Sequence, residues 1–364
     1  MIHHVSIHEE NEVYRFAFVQ VNESAGTVFF GECFPQKIFR ISKFSTGRCN
    51  MNKISIIGTG SVGSTIAYSI AMLGMASEIV MIDINREKAL GEALDIRQGT
   101  PFCAPCAIYA GDYPDAVDSN IVILTSGVAR KPGQSRLELA QINVDITKSI
   151  LPEITKYAPN AHYIIVSNPV DILTYTFHRF SGLPENQIIG SGTILDTARL
   201  RARLSEYYRI SQSNVHAYVF GEHGDSSFIP WSVANISNVP ITECGNVFTG
   251  KDITNPVLDF AEIEDYVRKS GGRVIARKGA TFYAVSMSVC HICRCILSGI
   301  DTTMTVSTMM HGEYGIKDVC LSTLNIVGQD GVRGKVNIPL TEEEVKKLQK
   351  SAETLKEVIR GLHI

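Results

Sequence analysis

The sequence predicts an α/β protein in which a doubly wound parallel sheet is followed by a less regular α+β domain. From residue 51 onward, short apolar runs of strand length alternate with longer segments of helical period. Such alternation is typical of a parallel sheet with helices on both faces and a ligand at the carboxyl ends of the strands. The second half loses the alternation but contains an apolar helix within 280–297.

The elements predicted for the first half follow one another in strand and helix order. They are strand 54–57, a helix to residue 73, strand 79–83, helix 86–97, strands 108–110 and 121–124, helix 134–157 and strand 162–166. A closing helix is predicted at 341–362, because Thr341 and Glu344 have the spacing of a capping box. Its apolar face is formed by Val345, Leu348, Leu355, Ile359 and Leu362.

Length and composition indicate an ordinary globular protein. The chain has 364 residues, enough for about two domains, and 45% of them are hydrophobic. A net charge of −3 provides no basic stripe, so we expect no nucleic-acid partner. Residues 54–77 carry no charge, but their glycines and hydroxyl residues favour a strand, a turn and a helix over a membrane span.

Nine cysteines are scattered through the chain, and this odd number argues against a disulfide framework. We therefore expect a reducing, cytoplasmic compartment. Cys103 with Cys106, and the 290–295 cluster with His291, could suggest zinc. The second group lies in an apolar run that is typical of a buried helix, so no metal site is expected.

The first fifty residues differ from the rest of the chain. They show no clear helical or strand pattern, and they have neither the composition of a signal peptide nor that of a transit peptide. Met51 stands immediately before the first predicted strand. The hypothesis is that Met51 is the natural start and that residues 1–50 are an N-terminal extension without a folded role.

The strongest local motif of the first half is glycine-rich. An apolar strand runs directly into Gly58, Gly60 and Gly63, and a helix follows. The first glycine permits a tight turn, the second allows a pyrophosphate to approach the backbone, and the third allows close helix packing. A second strand runs into Asp83, 20 residues after Gly63, where an acid would hold a ribose 2′-hydroxyl. The pattern predicts a Rossmann-type dinucleotide site that favours NAD over NADP, although Arg86 lies close by.

In the second half, the most informative stretch surrounds His223, which stands between Glu222 and Gly224 and is followed by Asp225. A histidine among small and acidic neighbours is a candidate proton donor, because its unperturbed pKa is about 6.5. By itself the stretch is more typical of a surface turn, because histidine is ordinarily only partly buried.

Together these motifs identify residues 51–364, about 86% of the chain, as similar to the L-lactate and L-malate dehydrogenase family. Five motifs carry the resemblance in the family's order: GTGSVG at Gly58, SGVARKPGQSR at Ser126, SNPVD at Ser167, GTILDTARLR at Gly192 and GEHGD at Gly221. The resemblance implies an NAD-binding domain at 51–192, a substrate and catalytic domain at 193–364, and a homotetramer. It also implies a reversible hydride transfer between NADH and a small 2-oxo acid.

The resemblance assigns the catalytic roles. His223 would exchange the hydroxyl proton, and Asp196 would hold its ring. Arg199 would bind the substrate carboxylate, a task that suits a planar bidentate donor. Asn168 would donate to the substrate oxygen, although an Asn-Pro pair at a strand end is otherwise an ordinary turn.

Other implied positions belong to a lid, the pocket and the cofactor site. Gly127 to Arg136 would form a mobile lid whose Arg136 polarises the carbonyl after closure. Thr281 would line the substrate pocket. The implied NAD contacts are Gly58, Gly60, Val62, Gly63, Asp83, Lys88, Tyr113, Gly127, Val128, Ser149, Val166 and Asn168.

The choice of substrate stays open at the level of sequence. Arg130 stands at the lid position where malate enzymes carry arginine, and a second guanidinium suits the extra carboxylate of oxaloacetate. Thr281 favours pyruvate, and so do the sequences of the GTILDTARLR and GEHGD motifs. Arg201 and His216 also favour the lactate enzymes, because the resemblance implies an effector site there for fructose 1,6-bisphosphate. We expect L-lactate dehydrogenase, with malate dehydrogenase as the alternative and a non-catalytic NAD-binding protein as a remote one.

Overall fold

The computed structural model describes residues 5–9, 12–16, 19–22, 27–30, 52–128, 135–246, 248–250 and 256–364. The chain forms two compact units, residues 1–50 and 51–364. In the first unit, strand β1 (Val5–Glu9) pairs antiparallel with β2 (Glu12–Phe16), and β3 (Val19–Asn22) pairs antiparallel with β4 (Thr27–Phe30). The sequence pattern predicted no strands in this segment. A hairpin pairs two strands that are adjacent in sequence, so it can form where the alternation of apolar residues is too weak to predict a strand.

The first part of the second unit follows the predicted alternation. Its strands are β5 (Lys53–Ile57), β6 (Glu78–Ile82), β7 (Ala107–Ala110), β8 (Ile121–Leu124), β9 (His162–Ile165) and β10 (Ile188–Gly190). Its helices are α1 (Ser61–Met72), α2 (Arg86–Gln98), α3 (Arg136–Tyr157) and α4 (Val170–Phe180). These six strands pair in parallel in the order β7-β6-β5-β8-β9-β10. The order reverses at β5, between β6 and β8, which is where an open α/β sheet leaves a crevice for a ligand.

The remainder of the unit is richer in strands than the sequence predicted. Its elements are α5 (Ile194–Tyr208), β11 (Val215–His216), β12 (Asn235–Ile236), β13 (Val239–Pro240), α6 (Phe260–Lys278), α7 (Tyr283–Ser298), β14 (Thr302–His311), β15 (Lys317–Gly328), β16 (Gly331–Lys335) and α8 (Glu342–Arg360). Strands β14 to β16 are antiparallel and extend the same sheet from β10, where Gly190 pairs with Ser307. One sheet therefore runs across the boundary predicted at residue 192.

Several boundaries differ from the sequence-based prediction. Helix α1 begins at Ser61, directly after the glycine turn, and α7 begins at Tyr283 where residue 280 was expected. Helices α4, α5 and α6 and strands β10 to β16 were not predicted. The middle of β14 is buried at every position, so it lacks the alternation that marks a half-exposed strand.

The sheet separates two apolar clusters because successive side chains of a strand point to opposite faces. Ile54 and Ile56 of β5 contribute to one cluster, and Ile57 contributes to the other. The predicted capping box of α8 is confirmed: the Thr341 hydroxyl accepts the Glu344 N–H at 3.2 Å, and the Glu344 carboxylate accepts the Thr341 N–H at 2.9 Å. Within the described ranges, no helix combines the length and the apolar character needed to cross a membrane.

Candidate active site

The glycine turn lies at the carboxyl edge of the parallel strands, and neighbouring strands fix its shape. The Gly58 N–H donates to the carbonyl of Ile82 at 2.7 Å. The Thr125 hydroxyl, just after β8, donates to the Gly58 carbonyl at 2.7 Å. The turn is therefore held from both sides at the point where the strand order reverses.

Each of the three positions in the turn requires glycine for a different steric reason. Gly58 has φ +96°, which favours glycine, and a Cβ there would lie 2.6 Å from the Ser126 nitrogen. A Cβ on Gly63 would lie 1.9 Å from the Gly58 carbonyl oxygen, so any side chain would force the helix away from the turn. A Cβ on Gly60 would meet nothing within 4 Å. The backbone at Gly60 thus borders open space that a pyrophosphate can enter.

Helix α1 presents an anion-binding end to this space. Gly60 is its N-cap residue, so no side chain caps the helix, and its first turn has no acidic residue. The free N–H groups and the positive end of the helix dipole favour a phosphate group at this position.

Asp83 lies at the end of β6 beside the same turn. Its carboxylate accepts the Thr59 N–H at 2.6 Å and the Asn85 N–H at 2.8 Å. Burial by itself would raise the pKa of Asp83, but these hydrogen bonds and the nearby Lys88 lower it overall. The group therefore stays ionised at neutral pH, and an ionised carboxylate is a strong acceptor for ribose hydroxyls.

Four other residues implied for the cofactor lie just after a strand or in the first turn of the helix that follows one. Val62 is in the first turn of α1, Lys88 is on α2, Tyr113 is in the turn after β7, and Val166 follows β9. Ser149 is exposed on α3, where its hydroxyl donates to the Ile146 carbonyl at 2.7 Å.

A residue that the sequence analysis missed joins two of these strand ends. The Asn143 side chain on α3 is buried, and its amide oxygen accepts the Val128 N–H at 2.9 Å. Its amide nitrogen donates to the Asn168 carbonyl at 2.7 Å. Asn143 therefore fixes the base of the predicted lid against the start of the SNPVD segment. No local motif marks it, because an asparagine in a helix is unremarkable in sequence.

The structure brings together His223 and Asp196, the two residues to which the resemblance assigns proton exchange. His223 Nδ1 and Asp196 Oδ2 are 2.5 Å apart, and Asp196 is held on the first turn of α5. The His223 side chain is 27% exposed. The negative charge of Asp196 raises the pKa of His223 to about 9, against the opposing effect of burial. The ring is therefore protonated at neutral pH.

Arg199 completes this group from the same helix. Its Nη1 donates to the second carboxylate oxygen of Asp196 at 2.8 Å. Burial would raise the pKa of Asp196, but the adjacent His223 and Arg199 lower it overall. One guanidinium N–H is thus engaged within the protein, which leaves its other donors for a substrate carboxylate.

A second carboxylate lies behind the histidine and was not singled out from the sequence. Asp171, at the start of α4, accepts the main-chain N–H of His223 at 2.8 Å and the Ser307 hydroxyl at 2.5 Å. Because Asp171 lies three residues after Asn168, the same contact brings the end of β9 toward the His223 segment. The only sequence signal for Asp171 was its position in the SNPVD motif. Its role could not be predicted, because it depends on a contact with His223, which lies 52 residues away in sequence.

The structure describes less of the remaining three residues that the resemblance assigns to substrate binding. Arg130 lies outside the described residues. Arg136 is the first residue of α3, but its side chain is outside the described part of the chain. Thr281 is half-buried between α6 and α7. Helix α7 approaches the glycine turn, because the Ser286 hydroxyl lies 3.5 Å from the Val62 carbonyl.

The structure brings Arg201 close to the residue after His216. Arg201 Nε donates to the Ala217 carbonyl at 3.1 Å, and its guanidinium lies 5.2 Å from the centre of the Tyr218 ring. His216 is exposed on β11. The pKa of His291 is lowered by burial and also by the cations Arg294 and Arg201, so several basic side chains share this region.

Comparison with protein families gives two matches that together span most of the chain. The model for the NAD-binding domain of lactate/malate dehydrogenases matches residues 52–190, and the model for their α/β C-terminal domain matches residues 193–362.

Individual proteins agree with the family models. The chain is 44% identical over 319 residues to an L-lactate dehydrogenase of Thermoanaerobacterium saccharolyticum, with 86% of this chain and all of that protein covered. It is 46% identical over 310 residues to L-lactate dehydrogenase 1 of Clostridium acetobutylicum, covering 85% of this chain and 98% of that one.

Solved structures show the same similarity. The minor L-lactate dehydrogenase of Enterococcus mundtii in a ligand-bound form superposes with a TM-score of 0.81 at 38% identity. A lactate dehydrogenase from a Medee basin deep-sea metagenome library gives the same TM-score at 36% identity. Each alignment covers 85% of this chain and 98% of the other.

Proposed function

The chain belongs to the lactate/malate dehydrogenase family, and from this premise we propose that it is an NAD-dependent L-lactate dehydrogenase. The observation that carries the proposal is the cluster of His223, Asp196 and Arg199. It combines a protonated imidazole, which can supply the proton, with a cation able to bind a carboxylate. Reduction of a 2-oxo acid requires both groups beside a hydride donor.

The residues around the glycine turn fit NAD. The open space at Gly60, the uncapped start of α1 and the ionised Asp83 match a pyrophosphate and a ribose. An ionised Asp83 would repel a 2′-phosphate, so NAD is favoured over NADP. NADH, when bound, supplies the hydride for the carbonyl carbon.

The protein's own groups then bind and protonate the substrate. The Arg199 guanidinium holds the carboxylate of pyruvate by charge-assisted hydrogen bonds. Asn168 and Arg136 donate to the carbonyl oxygen, where negative charge develops. His223 gives its Nε2 proton to that oxygen, while Asp196 keeps Nδ1 protonated and stabilises the cation before transfer. In the reverse direction, neutral His223 accepts the hydroxyl proton of lactate.

The test of the proposed reaction is the oxidation of NADH with pyruvate and with oxaloacetate. We expect pyruvate to give the higher kcat/KM. We also expect Arg130→Gln to leave pyruvate turnover intact or improved and to lower the residual rate with oxaloacetate. The methyl group of pyruvate offers no charge to offset the desolvation of a guanidinium, whereas the second carboxylate of oxaloacetate does.

The matched control is Arg97→Gln, which removes an exposed arginine from the last turn of α2 and should leave the substrate ratio unchanged. Preference of the wild type for oxaloacetate, nearly abolished in Arg130→Gln, would replace the proposal with malate dehydrogenase. NADH binding without turnover of either keto acid would favour the non-catalytic alternative.

We further propose that residues 51–192 form the NAD-binding domain and residues 193–364 the catalytic domain, with residues 1–50 dispensable for the reaction. The family models, which match residues 52–190 and 193–362, support this division. Nearly the whole length of the relatives aligns with about 86% of this chain, which supports the dispensability of residues 1–50. The assays above should therefore give the same result with a chain that begins at Met51. The cysteines of the described residues are free thiols, which supports a reducing, cytoplasmic location.

A homotetramer is part of the same proposal. Tyr283 and Met287 on α7 are 64% and 71% exposed, and Met72 on α1 is 54% exposed. Large apolar side chains exposed on two helices that pack together favour burial against a second copy of the chain.

Arg201 and His216 support regulation by fructose 1,6-bisphosphate. Arg201 lies among cations that include Arg294, which favours an anionic ligand with phosphate groups. We expect the sugar bisphosphate to lower the apparent KM for pyruvate and to strengthen tetramers, because two phosphates can bridge cations of two subunits.

The measurement is the KM for pyruvate and the sedimentation coefficient with and without the effector. Arg201→Gln with His216→Gln should abolish both responses, and inorganic phosphate at the same ionic strength serves as the control. A wild type whose kinetics and sedimentation ignore the sugar bisphosphate would contradict the effector site.

A further inference from the structure

A cavity of about 430 Å³ lies on a part of the molecule that the proposed reaction does not use. Its walls come from the last turn of α4, the segment between α4 and β10, the end of β14 and the start of β15. Because β9 and β10 are parallel, α4 returns the chain to the amino edge of the sheet, and its last turn lies there. We call this space the amino-edge cavity. It is separate from the glycine turn and from His223, which lie at the carboxyl edge.

His178 lines the amino-edge cavity, and its ring has unsatisfied nitrogens. Both nitrogens are shielded from solvent, and within the described part of the chain neither has a hydrogen-bond partner. Burial lowers the pKa of His178 to about 4; Lys335 and His311 act in the same direction, and Glu185 opposes them. The neutral ring therefore has one N–H donor and one acceptor. Buried polar groups are nearly always paired, and no hydrogen bond keeps this ring from turning toward a ligand.

Two cations that line the same cavity have free donors. Arg179 follows His178 on α4, and Lys317 begins β15; both side chains are exposed. Within the described ranges, neither side chain has an ion-pair or hydrogen-bond partner. A planar guanidinium with an ammonium beside it suits a carboxylate, which can accept from both.

Two acids line the cavity as well, and each is engaged through one oxygen. Glu185 Oε2 lies 2.7 Å from His311 Nε2, and Asp318 Oδ1 accepts the Tyr175 hydroxyl at 3.1 Å. These contacts fix the two carboxylates in place. The second oxygen of each remains to accept from a ligand cation.

The apolar part of the lining comes from Met309 and Met310, which are buried at the end of β14. Methionine side chains are unbranched and adapt to apolar groups of different shapes. The cavity volume falls within the range of about 300–1,000 Å³ that is usual for small-molecule sites.

We propose that the amino-edge cavity binds the zwitterion of a free amino acid with an apolar side chain. Its carboxylate pairs with Arg179 and Lys317. Its ammonium donates to Glu185, Asp318 and the neutral ring of His178, and its side chain contacts the two methionines. The two cations and the two acids of the lining balance, so a ligand of one charge sign is repelled by half of them. A zwitterion satisfies both pairs.

The test is isothermal titration calorimetry of the full-length protein with L-leucine near neutral pH. We expect saturable binding with a Kd of about 1 mM or lower, since ion pairs at exposed sites are individually weak. N-acetyl-L-leucine lacks the ammonium, and L-leucinamide lacks the carboxylate. Each should bind about 10-fold more weakly or worse, because each leaves one pair of charges without a partner.

Substitutions in the lining assign each end of the ligand. Arg179→Gln should weaken L-leucine by about 3-fold or more and leave the affinity for L-leucinamide unchanged, because the amide has no carboxylate to lose. Asp318→Asn should weaken L-leucine to a similar extent and leave N-acetyl-L-leucine unchanged. His178→Phe, which keeps an aromatic ring without nitrogens, should also weaken L-leucine. Arg97→Gln and Asp95→Asn on the exposed side of α2 are the matched controls and should bind as the wild type does.

Three results would overturn the inference. The first is absence of saturation by L-leucine at about 10 mM, ten times the expected Kd. The second is wild-type affinity in both Arg179→Gln and Asp318→Asn, which would place the ligand elsewhere. The third is binding of either analogue as tightly as L-leucine, because the cavity would then take an ion of one sign. None of these measurements depends on turnover, so failure of pyruvate reduction would refute the proposed function alone.

Discussion

Replacing His223 with asparagine is expected to lower turnover by at least about 100-fold, because general acid–base catalysis contributes about that much or more. Asparagine has a similar size and can still donate an N–H to Asp196, so the local packing should persist. It cannot carry an exchangeable proton at neutral pH. The glycine turn and Asp83 do not contact His223, and NADH should therefore still bind.

Turnover is measured as NADH oxidation at saturating pyruvate, and binding by the change in NADH fluorescence. His363→Asn, which alters an exposed histidine near the carboxyl end of the chain, is the matched control and should retain wild-type turnover. Near-normal turnover in His223→Asn would show that another group supplies the proton. Loss of NADH affinity would show that the variant had disturbed more than the proton donor.

Asp196→Asn is expected to lower kcat/KM for pyruvate by about 30-fold at pH 8. The charge of Asp196 is the largest cause of the raised pKa of His223, about 9. Without it the pKa should return to about 6.5 or lower, since burial then opposes the charged ring. At pH 8 the protonated fraction of the ring would fall from about nine-tenths to about one-thirtieth.

The sign of this effect can be checked across the pH range. A raised pKa in the folded protein means that protonated His223 is present below about pH 9 and is lost above it. In Asp196→Asn the alkaline limb should therefore move to about pH 6.5. Part of the lost rate should return at acidic pH, while any remaining deficit reports a ring held in the wrong tautomer. Asp95→Asn, on the exposed side of α2, should leave the profile in place, and an unchanged limb in Asp196→Asn would refute the assigned pair.

The sequence by itself predicted most of the parallel sheet and the candidate residues of the site. The motif with glycines at 58, 60 and 63 and an acid at 83 predicts a dinucleotide-binding turn. It is recognisable because residue types and spacings within a short segment define it. The alternation of strands and helices predicted the parallel part of the sheet. The candidate residues His223, Asp196 and Arg199 were identified through the motifs that the chain shares with the family. Spacing alone could not have selected Asp196 from 37 acidic residues.

Only the tertiary structure decided how these residues act on one another. Asp171 and Ser307 are 136 residues apart, and Asn143 and Asn168 are 25 apart, so no local pattern could pair them. Strands β14 and β15 were not predicted because their long buried runs lack the alternation that marks a half-exposed strand. The raised pKa of His223 likewise depends on where α4 and α5 place their carboxylates. Sequence determines which ionisable groups are present. Their distances and burial arise from packing across the sheet, and these set the pKa and therefore the charge of each group.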